Sequence, residues 1–261
     1  MVSKNTNSDE FRRNSHIGSS IPDQENGRTQ DGDSFPISAI LDSFRLVDVT
    51  EDKVKRDAAF KLTIEMYSKL SSRGIDYEQM YRNLCQDRYL RRGLARIFVL
   101  EGLNPVSMKV DILGTIRVVL GCEASEETEV MPLEAMELVS PGCGWRAFRF
   151  EDFNIGHSIE MGRFAILPEC RNAVARRHNL HLHITRKLVN GAYSFAVRHY
   201  GKNQVWAIMA RHAAMIVQTS GIPIKRAPEI SLKVKENRTL FETFDRYWLK
   251  GDPAFYRVLC S

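Results

Sequence analysis

Residues 158–167 read SIEMGRFAIL, and Pro168 follows directly. The apolar run bounded by proline predicts a β-strand. In a regular strand, Glu160 and Arg163 point to opposite faces of the sheet, because they are three residues apart. A bulge at Gly162 would insert one residue and bring both side chains to one side, and it would also free backbone N–H groups from the ladder. Without a bulge, the pattern predicts an edge strand with a surface ion pair.

Alternating helical and strand patterns surround this segment. Strands are predicted at 94–100, 108–120, 205–210 and 222–230, and helices at 51–73, 184–199, 211–219 and 239–249. The order predicts an α/β fold with a mixed central sheet flanked by helices.

The first 34 residues differ in composition from the remainder of the chain. Their apolar residues are sparse and aperiodic, which predicts a disordered tail at residues 1–34 and one folded domain at residues 35–261. No apolar run is long enough for a transmembrane helix, and the N-terminal residues lack the apolar core of a secretory signal. The five cysteines form no C-x-x-C motif, which favours a cytoplasmic protein.

Charge is distributed unevenly along the chain. The formal net charge is +5, yet residues 170–228 contain ten Lys or Arg and no Asp or Glu. Residues 121–140 contain six Glu and no Lys or Arg. The basic segment predicts either a solvated face or a docking surface for an acidic partner.

Several motifs resemble those of the acyl-homoserine lactone synthases. The sequence EMGRFAI at residues 160–166 resembles their E-x-x-R-F-x-V strand, and LGTIRVV at residues 113–119 resembles their arginine-bearing strand. Residues 56–73 resemble their first helix, and residues 87–89 resemble part of their acidic D-x-x-D region.

The related long-chain N-acyl amino acid synthases are more similar overall, including MPLE at residues 131–134. This resemblance implies a GNAT-like (acyl-CoA N-acyltransferase) fold in a bacterial cytoplasmic enzyme. It implies transfer of a long acyl group from an acyl-carrier protein thioester to the α-amino group of an amino acid. No cofactor is bound in this interpretation, because the phosphopantetheine arm belongs to the carrier protein.

Two departures from the family patterns narrow the expected substrates. Asp87 lacks a second Asp three residues on, which disfavours S-adenosylmethionine as the acceptor. Ordinary GNAT enzymes have glycines after the corresponding strand, where backbone N–H groups hold the pyrophosphate of coenzyme A. Residues 169–175 contain no glycine, which disfavours coenzyme A as the donor.

The resemblance also implies roles for individual residues. Glu160 would act as the general base, directly or through water. Arg163 and Arg117 would bind the acceptor carboxylate or orient Glu160. Backbone N–H groups from Gly162 to Phe164 would stabilise the oxyanion of the thioester.

Two larger residue sets complete the expected site. Aromatic residues would line an acyl channel, with core packing as the alternative for most of them: Trp145, Phe148, Phe150, Phe153, Phe164 and Trp206. Cations of the acid-free segment would dock the acidic carrier protein: Arg171, Arg176, Arg177, Arg186 and Lys187.

The sequence is compatible with other catalytic groups and with other functions. Cys143 or Cys170 would be the nucleophile if an acyl-enzyme forms. His181 and His183, if on a strand, would share one face, but the run offers no Cys or carboxylate partner, so no metal site is expected. The rival functions are an acyl-homoserine lactone synthase that uses S-adenosylmethionine and a basic nucleic-acid-binding module.

Overall fold

A computed structural model describes residues 35–70, 76–122, 133–134, 153–226 and 254–260. These residues form a seven-stranded sheet with the strand order β1-β2-β3-β4-β5-β7-β6. The strands are β1 (Arg45–Asp48), β2 (Ala95–Leu103), β3 (Val110–Leu120), β4 (Ser158–Ile166), β5 (Gln204–Met209), β6 (Ile224–Arg226) and β7 (Ala254–Val258). All neighbouring strands are antiparallel except β4 and β5, which are parallel.

Helices cover both faces of the sheet. The α-helices are α1 (Ile37–Asp42), α2 (Lys53–Leu70), α3 (Tyr77–Cys85), α4 (Arg88–Arg91), α5 (Ala173–Arg177), α6 (Leu180–Tyr200) and α7 (Arg211–Thr219), and short 3-10 helices lie at Ile155–His157 and Pro168–Arg171. The main core cluster packs α1, α5, α6 and α7 on one face, and smaller clusters pack α2, α3 and α4 on the other. This confirms the predicted α/β class, with a mixed sheet between helices.

Side chains and glycine set several helix boundaries. Asp76 and Asn172 cap α3 and α5 by accepting hydrogen bonds from the backbone N–H groups of Gln79 and Ala175. Gly201 ends α6 with a φ of 64°, a left-handed conformation that glycine adopts without steric cost. No described helix is long and apolar enough to cross a bilayer.

Most predicted elements are present, with shifted ends. The helix predicted at 184–199 begins at Leu180, so His181 and His183 lie on a helix and the strand alternative for them is wrong. The sequence analysis did not predict four short helices, α1, α3, α4 and α5, or the strands β1 and β7. The last of these, β7, lies beyond the predicted final helix. The predicted tail at residues 1–34 and the predicted helix at 239–249 lie outside the described residues.

The parallel strands β4 and β5 are paired over only three residues. Ser158 pairs with Gln204, and the last pair joins Glu160 to Trp206, although both strands continue for several residues. The two strands therefore diverge towards their C-terminal ends. At the closed end, Lys202 donates hydrogen bonds to the carbonyl oxygens of Gly121, at 2.8 Å, and of Gly156.

Gly121 offers a test of this closed end. A Cβ atom there would overlap the carbonyl oxygen of Ile155 and approach that of Ser158 to 2.8 Å, and neither backbone atom can move easily. We expect Gly121→Ala to destabilise the fold by about 1–3 kcal/mol or more. Urea unfolding measures the change. Gly162→Ala is the matched control, because its Cβ meets no atom within 4 Å. Equal stability of the two variants would contradict the packing described here.

Candidate active site

A bulge in β4 lies beside β3, next to the pair formed by Arg117 and Gly162. Before the next pair, β3 contributes one residue and β4 contributes two, which are Arg163 and Phe164. Arg163 has a φ of 51°, a left-handed conformation that is uncommon for any residue with a side chain. A bulge was predicted at Gly162, whereas the structure places the extra residue and the left-handed conformation one position later, at Arg163.

The bulge brings the charged side chains of this segment to one face of the sheet. Residues directly opposite one another on adjacent strands point to the same side, so Arg117 shares a face with Gly162 and with Glu160 two residues earlier. Arg163 also reaches this face, because its guanidinium contacts the carboxylates that bind Arg117. The structure thus joins the side chains of Glu160, Arg163 and Arg117 in one region.

Two carboxylates and two guanidinium groups form a closed ring of ion pairs in this region. Nη2 of Arg117 and Nη1 of Arg163 lie 2.9 and 2.6 Å from Oδ2 of Asp87. Nη2 of Arg163 lies 3.3 Å from Oε1 of Glu134, and Nη1 of Arg117 donates to Oε2 of the same residue. Each arginine therefore bridges both carboxylates, and we call these four residues the ion-pair ring.

The ion-pair ring is largely withdrawn from water. The side chains of Asp87 and Arg117 are 1% and 2% exposed, and those of Arg163 and Glu134 are 11% and 17% exposed. Glu160 is also buried. Buried charges need partners with good geometry, and the ring supplies them to both arginines.

The local electrostatics follow from this burial. Burial alone would raise the pKa of Asp87, but the positive charges of Arg163 and Arg117 and two backbone N–H donors hold it below the ordinary value. Burial alone would lower the pKa of Arg117, but Glu134, Asp87 and Glu160 raise it instead. The strand register places Glu160 two residues before Gly162, the partner of Arg117, and its charge is among those that raise the pKa of Arg117.

Asp87 connects the ring to helix α4. Its Oδ1 caps the helix by accepting from the N–H groups of Tyr89, at 2.8 Å, and Leu90, at 3.2 Å. The ring of Tyr89 lies 5.3 Å from the guanidinium carbon of Arg117 and covers it. One aspartate thus fixes a helix start and two arginines of the sheet.

Two roles were predicted for Arg117, to bind the acceptor carboxylate or to orient Glu160. The first role requires an accessible guanidinium group, and the second does not. Its two terminal nitrogens bind Asp87 and Glu134, and only 2% of its side chain is exposed. Its Nε is buried and has no hydrogen-bond partner among the described residues. This arrangement favours a positioning role over direct contact with an acceptor. Arg163, which is more exposed, is the better placed of the two to meet a ligand.

The predicted channel residues do not form one continuous surface among the described residues. Trp206 is buried and stacks on Phe255, with ring centroids 5.1 Å apart, while Phe153 meets its edge at 5.2 Å. Phe164 packs instead against the core cluster that contains α6, on the other face. Trp145, Phe148 and Phe150 lie outside the described residues.

The predicted docking cations lie on two consecutive helices and the turn before them. Arg176 and Arg177 end α5, Arg186 and Lys187 lie on α6, and all four are exposed. Arg171 is half-buried at the end of the preceding 3-10 helix. The acid-free segment thus presents a basic surface close to the end of β4.

The alternative nucleophile Cys170 is poorly suited to catalysis. It is fully buried, and burial raises the pKa of its thiol to about 12, so it remains protonated at neutral pH. Cys143 lies outside the described residues. Within the described part of the chain, no group of three or more His, Cys, Asp or Glu side chains is placed to hold a metal ion.

Sequence reasoning did not include Asp87 and Glu134 among the site residues. The sequence signal for Asp87 was weak, because a lone aspartate before a short helix is typical of an ordinary cap. Glu134 is one of the six glutamates at residues 121–140, where no helix or strand was predicted. The similarity of MPLE to the acyl amino acid synthases was the signal that singled it out.

Comparisons with known proteins give distant structural similarities. A spermidine N-acetyltransferase from Vibrio cholerae in complex with CoA and spermine is 12% identical, with 83% of this chain and 94% of that chain covered and a TM-score of 0.44. FeeM, an N-acyl amino acid synthase from uncultured soil microbes, is 14% identical, with 83% and 91% covered and a TM-score of 0.45. No family model and no curated protein matches the chain. Similarities of this size establish neither a family nor an activity.

The ion-pair ring predicts a large stability effect for Asp87→Asn. The amide can still cap α4, but it leaves two buried guanidinium groups with one carboxylate. We expect a loss of about 3–5 kcal/mol in the free energy of unfolding, measured in urea at pH 7. Glu65→Gln is the control, because both side chains of its ion pair with Lys69 are exposed, and its unfolding midpoint should stay near that of the wild type. Equal effects of the two variants would contradict the buried ring.

The same variant has a characteristic pH dependence. The pKa of Asp87 is lower in the folded state than its ordinary value of 3.8, so its stabilising contribution is fully present above that value. The contribution is lost as the pH falls through the lower folded pKa. The stability difference between wild type and Asp87→Asn should therefore be constant from pH 7 to about pH 5 and narrow below pH 3.8. A difference that already narrows between pH 7 and 5 would contradict this assignment.

Proposed function

We propose that the chain transfers a long acyl group from an acyl-carrier protein thioester to the α-amino group of an amino acid. The observation that carries the proposal is the position of Glu160, beside the ion-pair ring and at the point where β4 and β5 begin to diverge. A buried carboxylate can act as a base there, and the diverging strands leave room for an extended thioester. The motifs around Glu160 and Arg117 support the same activity.

The proposed reaction begins with proton removal. The ammonium group of an amino acid is not nucleophilic, so Glu160 accepts one proton from it, directly or through water. The neutral nitrogen then attacks the thioester carbon. Negative charge develops on the thioester oxygen, where backbone N–H groups of the bulge at Arg163 and Phe164 are suited to donate hydrogen bonds.

Collapse of this intermediate completes the transfer. The carbon–sulfur bond breaks, the phosphopantetheine thiolate leaves, and the proton held by Glu160 returns to that sulfur. The nitrogen still carries two hydrogens and a positive charge after its attack, and it releases one of them as a proton to water. The products are an N-acyl amino acid, the free carrier thiol and one proton. The positive charge of Arg163 binds the acceptor carboxylate, and Arg117 orients Glu160.

The donor in this proposal is a protein. The basic surface on α5 and α6 presents four exposed cations to an acidic carrier protein. This surface lies near the C-terminal end of β4, where β4 and β5 diverge, so a carrier bound there could extend its phosphopantetheine arm between the two strands. The segment that follows β4 begins with a 3-10 helix at Pro168–Arg171 and lacks glycine, unlike a site that holds pyrophosphate against backbone.

The activity test uses the purified full chain. It is incubated with a long-chain acyl-carrier protein thioester and either a mixture of amino acids or S-adenosylmethionine, and products are identified by mass spectrometry. An N-acyl amino acid that requires the enzyme supports the proposal. An acyl lactone as the sole product would replace it with the lactone synthase activity. Absence of both products, together with salt-sensitive binding to duplex DNA, would favour the nucleic-acid-binding module.

The proposed base gives a sharper prediction. Glu160→Gln should lower kcat by about 10²–10⁴-fold, because the amide cannot accept the proton. Unfolding in urea and circular dichroism check that the fold is retained. Glu65→Gln, at an exposed ion pair on α2, is the matched control and should keep wild-type turnover. Near-normal turnover of Glu160→Gln would remove this residue as the base.

The docking surface is tested by charge reversal. Arg176→Glu with Arg177→Glu should raise KM for the carrier thioester by at least tenfold while kcat changes little, because opposite charge speeds encounter. Lys53→Glu with Lys61→Glu is the matched control, since both lysines are exposed on α2 and the charge change is equal. Similar KM values for both double variants would place the carrier elsewhere.

A further inference from the structure

The β2–β3 turn and the open end of the β4–β5 cleft lie at one edge of the sheet. β3 is antiparallel to β4, and Gly114 near the start of β3 lies opposite Ile166 at the end of β4. β4 and β5 are parallel and diverge after Glu160, so their C-terminal ends open towards the same side. We call this the mouth edge, formed by the C-terminal ends of β4 and β5 and the turn at residues 104–109.

Three apolar side chains project into solvent at this edge. Val106, Met108 and Val110 are 65%, 42% and 71% exposed. Single exposed apolar residues are ordinary, but three within five residues at the tip of one hairpin form a concentrated patch. Met108 has a φ of 54°, a conformation at which turns ordinarily carry glycine or asparagine. The turn therefore keeps a large apolar side chain where backbone sterics disfavour it.

The turn is held rigid by Asn104, which is buried. Its side-chain oxygen accepts from the N–H groups of Val106, at 2.9 Å, and Ser107, at 3.2 Å. Its backbone N–H donates to the carbonyl of Lys109 at 2.8 Å, and its own carbonyl accepts from Met108 N–H at 2.9 Å. The apolar side chains are thus presented on a fixed backbone, and little ordering entropy is lost when they bind.

Cations lie on several of the segments that meet at the mouth edge. The exposed ones are in the turn, at the end of α5 and shortly after β5: Lys109, Arg176, Arg177 and Arg211. Two acids, Asp111 and the half-buried Glu169, lie on the same segments. The exposed acid closest in sequence to the turn, Asp111, accepts a hydrogen bond from the side-chain amide of Asn104 at 3.1 Å. An apolar tip on an edge where exposed cations outnumber exposed acids matches a surface that is both deformable and anionic.

We propose that the mouth edge binds the surface of an anionic lipid bilayer, with Val106, Met108 and Val110 entering the interfacial layer. Peripheral binding of this kind grows with the apolar area buried and with attraction to anionic headgroups. A bilayer deforms around three separate side chains, whereas a protein partner needs a preformed groove. One consequence rests on the proposed function. A long-chain N-acyl product would leave the cleft next to the membrane, in which it dissolves.

Vesicle co-sedimentation of the full chain tests this contact without any assay of activity. The probes are vesicles of phosphatidylcholine alone and vesicles with about one third phosphatidylglycerol. We expect binding to the anionic vesicles that weakens with added salt, and at least tenfold weaker binding to the neutral ones. Val106→Asp with Val110→Asp should reduce binding to the anionic vesicles by at least tenfold.

The matched control is Val197→Asp with Leu259→Asp. These residues are 39% and 43% exposed and lie at the opposite edge of the sheet, so binding should stay at the wild-type level. Equal binding of the hairpin variant and the wild type, or no binding to either vesicle, overturns the proposal.

In vesicle-free assays with soluble carrier thioester, the hairpin variant should keep wild-type kcat and KM. A raised KM for the carrier with unchanged vesicle binding would instead assign the tip to the carrier protein. Loss of vesicle binding leaves the proposed transferase activity intact, so the two proposals fail separately.

Discussion

The ion-pair ring is the interaction on which the candidate site depends. Asp87 and Glu134 each bind both Arg117 and Arg163, so two strands, a helix start and the segment at Glu134 meet at one point. Arg163 occupies a left-handed conformation that costs free energy, and its two ion pairs offset that cost. The ion-pair ring therefore helps to hold the bulge at this position.

The bulge in turn determines where β4 can present its functional groups. It brings Arg163 to the face that carries Glu160 and Arg117, and it leaves backbone N–H groups outside the regular ladder. The divergence of β4 from β5 begins beside the same residues. A carboxylate and a guanidinium therefore lie beside a break in the regular ladder, at the point where β4 and β5 cease to pair. The acyl transfer proposed for the chain depends on this grouping of Glu160 and Arg163 beside the bulge.

The sequence predicted local features better than long-range contacts. The strand with Glu160 and the helix at Arg211–Thr219 were recognisable from hydrophobic pattern and from proline or glycine punctuation. The bulge was inferred from Gly162, yet the extra residue is Arg163, because ion pairs from distant segments select the residue that adopts positive φ. Asp87 is 76 positions from Arg163 in the chain, and no local pattern reports a contact of that separation. The helical position of His181 was likewise missed, since a short polar stretch with alternate histidines fits a strand and a helix equally.

The position of the reacting carbon distinguishes the proposed site from any other, and a crystal structure of a complex would show it. The full chain would be crystallised with an amino acid and a thioether analogue of long-chain acyl-phosphopantetheine, which cannot transfer its acyl group. We expect the analogue between β4 and β5, with the carbon that mimics the thioester beside Arg163 and Phe164. We also expect the acceptor nitrogen within about 3.2 Å of the Glu160 carboxylate or one water away from it. An analogue bound away from this bulge, or a Glu160 carboxylate on the far side of the sheet from it, would refute the proposed site.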